Sequence, residues 1–142
     1  MAKIKHIALA TQNAEKTATF YKEVFGLQEV GKIVGENAEG FYLSDGHINL
    51  AILNFKNPAV AGDEFGTEYS GIHHIGFEVD DTAETDAKLR SLDSHPREEI
   101  NHALHSAKGQ SQEGRNVEFK YNGPDGVMID ISQGGWVGTG SE

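Results

Sequence analysis

The chain has 142 residues, no cysteine and a formal net charge of −10. This length fits a single domain over residues 1–142, and the lack of cysteine excludes disulfides, thiolate metal sites and cysteine nucleophiles. The acidic surplus disfavours a nucleic-acid partner, because it would repel a phosphate backbone. No apolar run approaches the roughly 18 residues that cross a bilayer. The N-terminus also lacks the apolar core of a signal peptide, so we expect no membrane partner and a cytoplasmic location.

The first 55 residues predict a strand, a helix and three further strands. Asn13 is a strong N-cap residue, and an apolar stripe at helical spacing follows it and ends at Gly26. The segments "EVGKIVG", "EGFYLSD" and "HINLAILNF" then read as short strands separated by turn residues.

The second half repeats this pattern. The segment "KHIALATQNAEKTATFY" at 5–21 aligns with "HHIGFEVDDTAETDAKL" at 73–89, so that His6 matches His74 and Asn13 matches Asp81. The strands "NVEFKYN" and "VMIDIS" follow. We therefore predict an α+β fold of two tandem βαβββ modules, at residues 3–55 and 71–133. The polar stretch at 94–116 is predicted to be a surface loop or lid.

Two adjacent histidines interrupt the strand "GIHHIGFEVDD" at 71–81. Because neighbouring side chains of a strand point to opposite faces, His74 is predicted to share a small, polar face with Gly76 and Glu78. His73 is predicted to lie on the opposite, apolar face and to be structural. His74 is then the residue that lines a cavity.

His6 and His74 would converge if the two modules are related by pseudo-twofold symmetry. Asp130 places a carboxylate in the middle of the last strand, and Asn49 places an amide in the corresponding strand of the first module. Two imidazoles and one carboxylate form a facial triad that binds a divalent metal, here iron, manganese, cobalt, nickel or zinc.

The two-module layout, with "FYKEVFGL", "GIHHIGFEVDD" and "GPDGVMIDIS", resembles the vicinal oxygen chelate superfamily of glyoxalases, bleomycin-resistance proteins and extradiol dioxygenases. The second of these motifs is most similar to the methylmalonyl-CoA epimerase branch. The resemblance implies an incomplete barrel around a metal-binding cavity, and a homodimer. It also implies that His6, Asn49, His74 and Asp130 are the metal ligands, with His47 as the alternative to Asn49.

Three functions follow from this resemblance. A metal with open positions would stabilise an enolate in glyoxalase- or epimerase-like proton transfer on a small organic substrate, as a lyase or isomerase. Asn49 removes the carboxylate base that glyoxalase I has at this position, so Glu78 or Glu118 would have to serve. The first alternative is an extradiol-type dioxygenase with iron(II) in the triad. The second is a small-molecule-binding resistance protein without catalysis, which the intact triad disfavours.

Overall fold

The computed structural model describes residues 1–106 and 117–140. Within them, seven strands form one sheet: β1 (Lys3–Ala10), β2 (Gln28–Ile33), β3 (Ala38–Ser44), β4 (Asn49–Phe55), β5 (Gly71–Glu78), β6 (Phe119–Asn122) and β7 (Met128–Ser132). The helices are α1 (Ala14–Phe25), α2 (Pro58–Ala61), α3 (Thr82–Ser91) and α4 (Glu98–Ser106). None of the helices in these two ranges has the length and apolar character needed to span a membrane.

The strands are arranged in the order β2-β3-β4-β1-β5-β7-β6, and the sheet is open. The predicted α+β fold is confirmed. Strands β1 and β5 pair in antiparallel fashion at the centre and join the two halves. Each also pairs in parallel with the last strand of its own half, β4 or β7. The first strand of each half therefore lies between the first strand of the other half and the last strand of its own.

The second half differs from the first in one strand. In the described residues it has three strands where the first half has four, and a single bridge between Pro96 and Tyr121 lies beside β6 where the fourth would pair. The side-chain amide of Asn101 bonds to both the N–H and the C=O of Lys120, as a neighbouring strand would. The predicted loop at 94–116 is therefore partly helix α4, because this helix supplies the missing partner. Residues 107–116 lie outside the described part.

Helices cover both faces of the sheet. Helix α1 begins at Asn13, whose side chain accepts from the N–H of Lys16, and ends at Gly26 in the left-handed region. Helix α3 begins at Asp81, which caps two N–H groups. Three apolar clusters lie between the helices and the sheet. On one face, the cluster under α1 has the buried members Ala18, Leu43 and Ile52, and the cluster under α3 has Val79, Tyr121 and Ile131. On the other face, the cluster under α2 and α4 has Ala10, Ala38, Phe55, Val60 and Ala61.

Each central strand contains a bulge next to its histidine. Ala8 pairs with His74 and Leu9 with Ile72, so His73 is an extra residue of β5. In β1, Lys5 is the extra residue, 68 positions before His73 (73 − 5 = 68). A bulge interrupts the alternation of side chains, and the rings of His73 and His74 hydrogen-bond to each other. The prediction that they face opposite sides of the sheet is wrong for this reason.

Candidate metal centre

Four side chains converge on one point on one face of the sheet: three belong to β1, β5 and β7, and the fourth, Glu118, directly precedes β6. His6, His74, Glu118 and Asp130 each offer a ligand atom, and these atoms all lie within 4.8 Å of one another. The two Nε2 atoms are 3.1 Å apart, and Asp130 Oδ2 lies 3.1 Å from His74 Nε2 and 3.8 Å from His6 Nε2. The convergence follows from the sheet order, because β1, β5, β7 and β6 are consecutive neighbours.

A chain of hydrogen bonds fixes the tautomer of His74. The carbonyl of Ala61 can only accept, so His73 Nε2 donates to it at 2.8 Å. The neutral ring of His73 then has a bare Nδ1, which accepts from His74 Nδ1 at 2.7 Å. Burial lowers the pKa of His73 to about 4 and that of His74 well below 6.5, so both rings are neutral at pH 7. His74 Nε2 therefore carries a lone pair directed at the centre.

Asn49 fixes the tautomer of His6 in the same way. Its Nδ2 donates to the carbonyl of Val137 at 2.9 Å, so its Oδ1 is the atom that meets His6 Nδ1 at 2.8 Å. His6 donates from Nδ1, and the tautomer with its proton on that atom has a bare Nε2. Since Nδ1 and Nε2 point away from each other, the oxygen of Asn49 lies behind the ring and supports His6.

The third ligand atom is an orphaned carboxylate oxygen. Asp130 is fully buried, and its Oδ2 receives no hydrogen bond from any described residue. Its other oxygen, Oδ1, lies 2.8 Å from the ammonium of Lys120. Lys120 thus occupies one oxygen of Asp130 and leaves the other for the two imidazoles.

These three atoms fit a divalent metal ion. Two imidazole lone pairs and a carboxylate oxygen repel one another at 3.1–3.8 Å unless a cation lies between them. Ligand atoms about 2.1 Å from an ion, at right angles to one another, lie about 3.0 Å apart. The donor set of nitrogen and carboxylate oxygen also suits the predicted divalent metals.

A buried lysine lies between the two carboxylates of the centre. Lys120 is 4% exposed, and its Nζ lies 2.8 Å from Asp130 Oδ1 and 3.0 Å from Glu118 Oε1. Burial alone would lower the pKa of Lys120, but the charges of Asp130 and Glu118 outweigh it and raise this pKa. The ammonium therefore stays charged and offsets one of the two negative charges.

Trp136 covers the centre from the C-terminal side. Its indole stacks on the ring of His6, with centroids 4.7 Å apart and an interplanar angle of 3°, and its Nε1 donates to Glu118 Oε2 at 2.8 Å. A Cβ at position 76 would lie 2.8 Å from both the indole and the Cβ of His6. Gly76 is therefore required for the tryptophan to lie flat against the sheet.

The remaining predicted site residues lie away from this point. His47 is exposed in the turn before β4, which begins only at Asn49, so strand alternation does not direct it inward. Glu78 lies on the same face of the sheet but outside the group of four converging donors. Glu118, predicted only as a base, is in that group. Sequence reasoning missed the roles of Lys120 and Trp136, although Lys120 is a charged residue at alternate spacing from Glu118 and Trp136 is the chain's single tryptophan.

Comparisons with known proteins agree with this fold. Residues 3–131 match the family model of the Glyoxalase/Bleomycin resistance protein/Dioxygenase superfamily. The human mitochondrial methylmalonyl-CoA epimerase is 26% identical over 140 residues, which cover 94% of this chain and 74% of that protein.

Solved structures of epimerases have the same fold. Streptomyces coelicolor methylmalonyl-CoA epimerase in complex with 2-nitronate-propionyl-CoA has a TM-score of 0.68 at 19% identity, over 92% of this chain and 95% of that one. The Mycobacterium tuberculosis methylmalonyl-CoA epimerase has a TM-score of 0.64 at 14% identity, over 91% and 85%. With the family match over residues 3–131, the chain belongs to the Glyoxalase/Bleomycin resistance protein/Dioxygenase superfamily.

Proposed function

We propose that this protein is a divalent-metal-dependent enzyme that moves a proton on the carbon next to a carbonyl, as a methylmalonyl-CoA epimerase does. The observation that carries the proposal is the set of bare atoms: two imidazole Nε2 lone pairs and the orphaned Oδ2 of Asp130 at one point. The likeness to the human epimerase over 94% of the chain favours a thioester substrate among the carbonyl compounds.

His6, His74 and Asp130 would hold the metal, with Glu118 close enough to join them. When bound, a divalent ion supplies Lewis-acid stabilisation of an oxygen on which negative charge develops. Asn49 and His73 orient the two imidazoles. Lys120 keeps the site from holding two uncompensated carboxylates.

Glu118 is the base that we propose. It is the second carboxylate of the group, and Asp130 already faces both imidazoles, whereas Glu78 lies outside the group. In the proton transfer the Glu118 carboxylate takes the proton from the substrate carbon, and the C–H electron pair moves to the carbonyl oxygen. Return of a proton to the carbon restores the carbonyl, and return to the other face inverts the configuration.

The test is metal analysis of protein purified without added metal, followed by reconstitution with each divalent ion. Reconstituted protein should catalyse exchange of deuterium from D₂O into methylmalonyl-CoA. Glu118→Gln should bind metal but lose the exchange, because the amide cannot take the proton. Protein that binds metal tightly and leaves every tested thioester unexchanged would contradict the proposal.

One specific observation supports a dioxygenase as the second candidate. Two histidines and one carboxylate are the ligand set of non-haem iron(II) oxygenases. Iron retention with oxygen uptake on catechols, without deuterium exchange, would favour this alternative.

We also propose a homodimer. Ile4 and Ile72 are 55% and 63% exposed, and they pair with Phe77 and Leu9, which pack under α3 and α1. An apolar strip of the two central strands therefore lies uncovered between these helices, which favours burial against a second copy. Sedimentation should give a dimer that Ile72→Glu weakens. The expected cytoplasmic location stays a prediction.

A further inference from the structure

The metal centre is enclosed on two sides by covers of different construction. His6, His74 and Asp130 are 2%, 3% and 0% exposed, so no substrate reaches them in this state. One cover is α2 with α4. The other is the segment of residues 133–140, called here the C-terminal strap, which includes Trp136 and crosses the face of the sheet that carries the centre. Of the segments that the structure describes, these two covers are the ones whose movement would open the centre to a substrate.

The cover formed by α2 and α4 is part of the apolar core. Val60 and Ala61 of α2 are buried in a cluster with Phe55, and Leu104 of α4 packs against the same cluster. The carbonyl of Ala61 also accepts the hydrogen bond that fixes His73. Moving this cover would expose the cluster and disturb the support of His74.

The strap is held mainly by a few hydrogen bonds. The carbonyl of Val137 accepts from Asn49 Nδ2, and the carbonyl of Gly138 accepts from Ser44 Oγ at 2.6 Å. Trp136 is its large buried apolar side chain. Four of the eight strap residues are glycine, and few apolar contacts with many glycines are typical of the parts of a protein that open first. The strap is therefore the cover that costs less to move.

Trp136 contacts two members of the converging group at once. It stacks on the ligand His6, and its N–H occupies Oε2 of Glu118, while Lys120 pairs with Oε1. A flat group on the open side of the centre would have to lie where the indole lies.

We propose that Trp136 occupies the substrate's place in the closed state, and that opening of the C-terminal strap exposes the centre. That a substrate replaces Trp136 rests on the proposed function. That the strap is a movable cover does not rest on it. Binding of substrate then competes with the strap, so the measured affinity is reduced by the fraction of molecules that are closed.

The chain's single tryptophan reports directly on the strap. In Zn²⁺-loaded protein, acrylamide should quench Trp136 fluorescence weakly, because the indole is buried. Methylmalonyl-CoA should raise the quenching constant at least threefold and shift the emission to the red. If calorimetry shows that the thioester binds and the quenching constant stays unchanged, Trp136 does not leave and the proposal is overturned.

Variants can loosen the strap without changing a metal ligand. Ser44→Ala removes the hydrogen bond that Ser44 Oγ donates to the carbonyl of Gly138, together with the one that it accepts from the N–H of Gly46, without altering a ligand. It should raise quenching without substrate and tighten thioester binding two- to fivefold. Ser91→Ala, which loses only a bond to the carbonyl of Lys88 in α3, is the matched control and should change neither. Trp136→Ala should tighten binding at least threefold. Weaker thioester binding by folded Trp136→Ala would overturn the proposal.

Metal release tests the cover without any substrate. Ser44→Ala and Trp136→Ala should lose Zn²⁺ to excess chelator at least fivefold faster than the wild-type chain and Ser91→Ala. Failure of every variant to bind a thioester, with this faster release present, would refute the proposed function and support the movable cover. Equal rates of Zn²⁺ release in all variants would overturn the proposal that the strap is a movable cover.

Discussion

The two halves of the sheet place a histidine at the same position and support it by different means. We propose that the halves, at 3–55 and 71–133, are copies of one unit: β1 and β5 are both eight residues long and both contain a bulge before the histidine. Asn49 supports His6, whereas the bulge residue His73 supports His74.

The halves differ most in the strand beside each histidine. Gly76 pairs with Asp130, and the matching residues of the first half are Ala8 and Ala51. The methyl group of Ala51 cannot bind a metal. The first half therefore contributes a neutral ligand, and the second contributes a neutral ligand together with the charged groups. A repeat can thus set the positions of the ligands, while substitutions within the repeat set the charge of the centre.

Removal of either histidine should have the largest effect. His6→Ala and His74→Ala should both lose stoichiometric metal binding, because each leaves two protein ligands from the triad. Metal analysis after dialysis measures this. Retention of tight metal by one of the variants would show that the two halves do not share the site equally.

Replacement of Lys120 tests how the charged groups of the second half affect stability, and we expect a large effect. Lys120→Met removes this cation from the buried Asp130 and the half-buried Glu118 and should lower the free energy of unfolding of the metal-free protein by about 3–5 kcal/mol. A divalent metal should recover part of this loss, because it supplies positive charge at the same place. Chemical denaturation with and without metal gives both values. If metal does not reduce the loss of unfolding free energy, the charge of Lys120 does not act on the metal centre.

Replacement of the two residues that hydrogen-bond to the ligand rings, Asn49 and His73, should weaken metal binding by similar, intermediate amounts. Asn49→Leu and His73→Phe each remove one hydrogen bond to a ligand ring, and each should weaken metal binding by about 10–100-fold. His73→Phe keeps an aromatic ring against Phe55 and Phe65. Competition with a chelating dye measures the affinities. An effect confined to one variant would break the equivalence of the two halves.

The ion pair between Glu64 and Arg97 should have the smallest effect. It joins the residues after α2 to the start of α4 through two contacts of 2.9 Å. The hydrogen bond from Arg97 lowers the pKa of Glu64, so the pair stabilises the fold above the unfolded pKa of about 4.5 and this contribution is lost as the pH falls through the lower folded pKa. Glu64→Gln should cost about 0.2–1 kcal/mol at pH 7 and less at pH 3. Thermal unfolding at both pH values measures this; an equal cost at both would contradict a charge effect.

Much of the architecture could be predicted because it depends on local patterns. The repeat at an offset of 68 and the caps at Asn13 and Asp81 are readable in the chain, since helix caps and strand alternation depend on residues close in sequence. Helix α4 could not be read in this way. It replaces a strand because Asn101 bonds to β6, a contact that no local pattern specifies.

The sequence by itself determined the identity and spacing of His6, His74 and Asp130, because matched strands must place matched residues at matched depth. Only the tertiary structure decided what surrounds them. The bulge that turns His73 toward His74 depends on the pairing of β5 with β1. The contacts of Lys120 and Trp136 join residues from separate strands and from the C-terminal strap. Such contacts arise from packing across the sheet, and packing is a property of the folded chain as a whole.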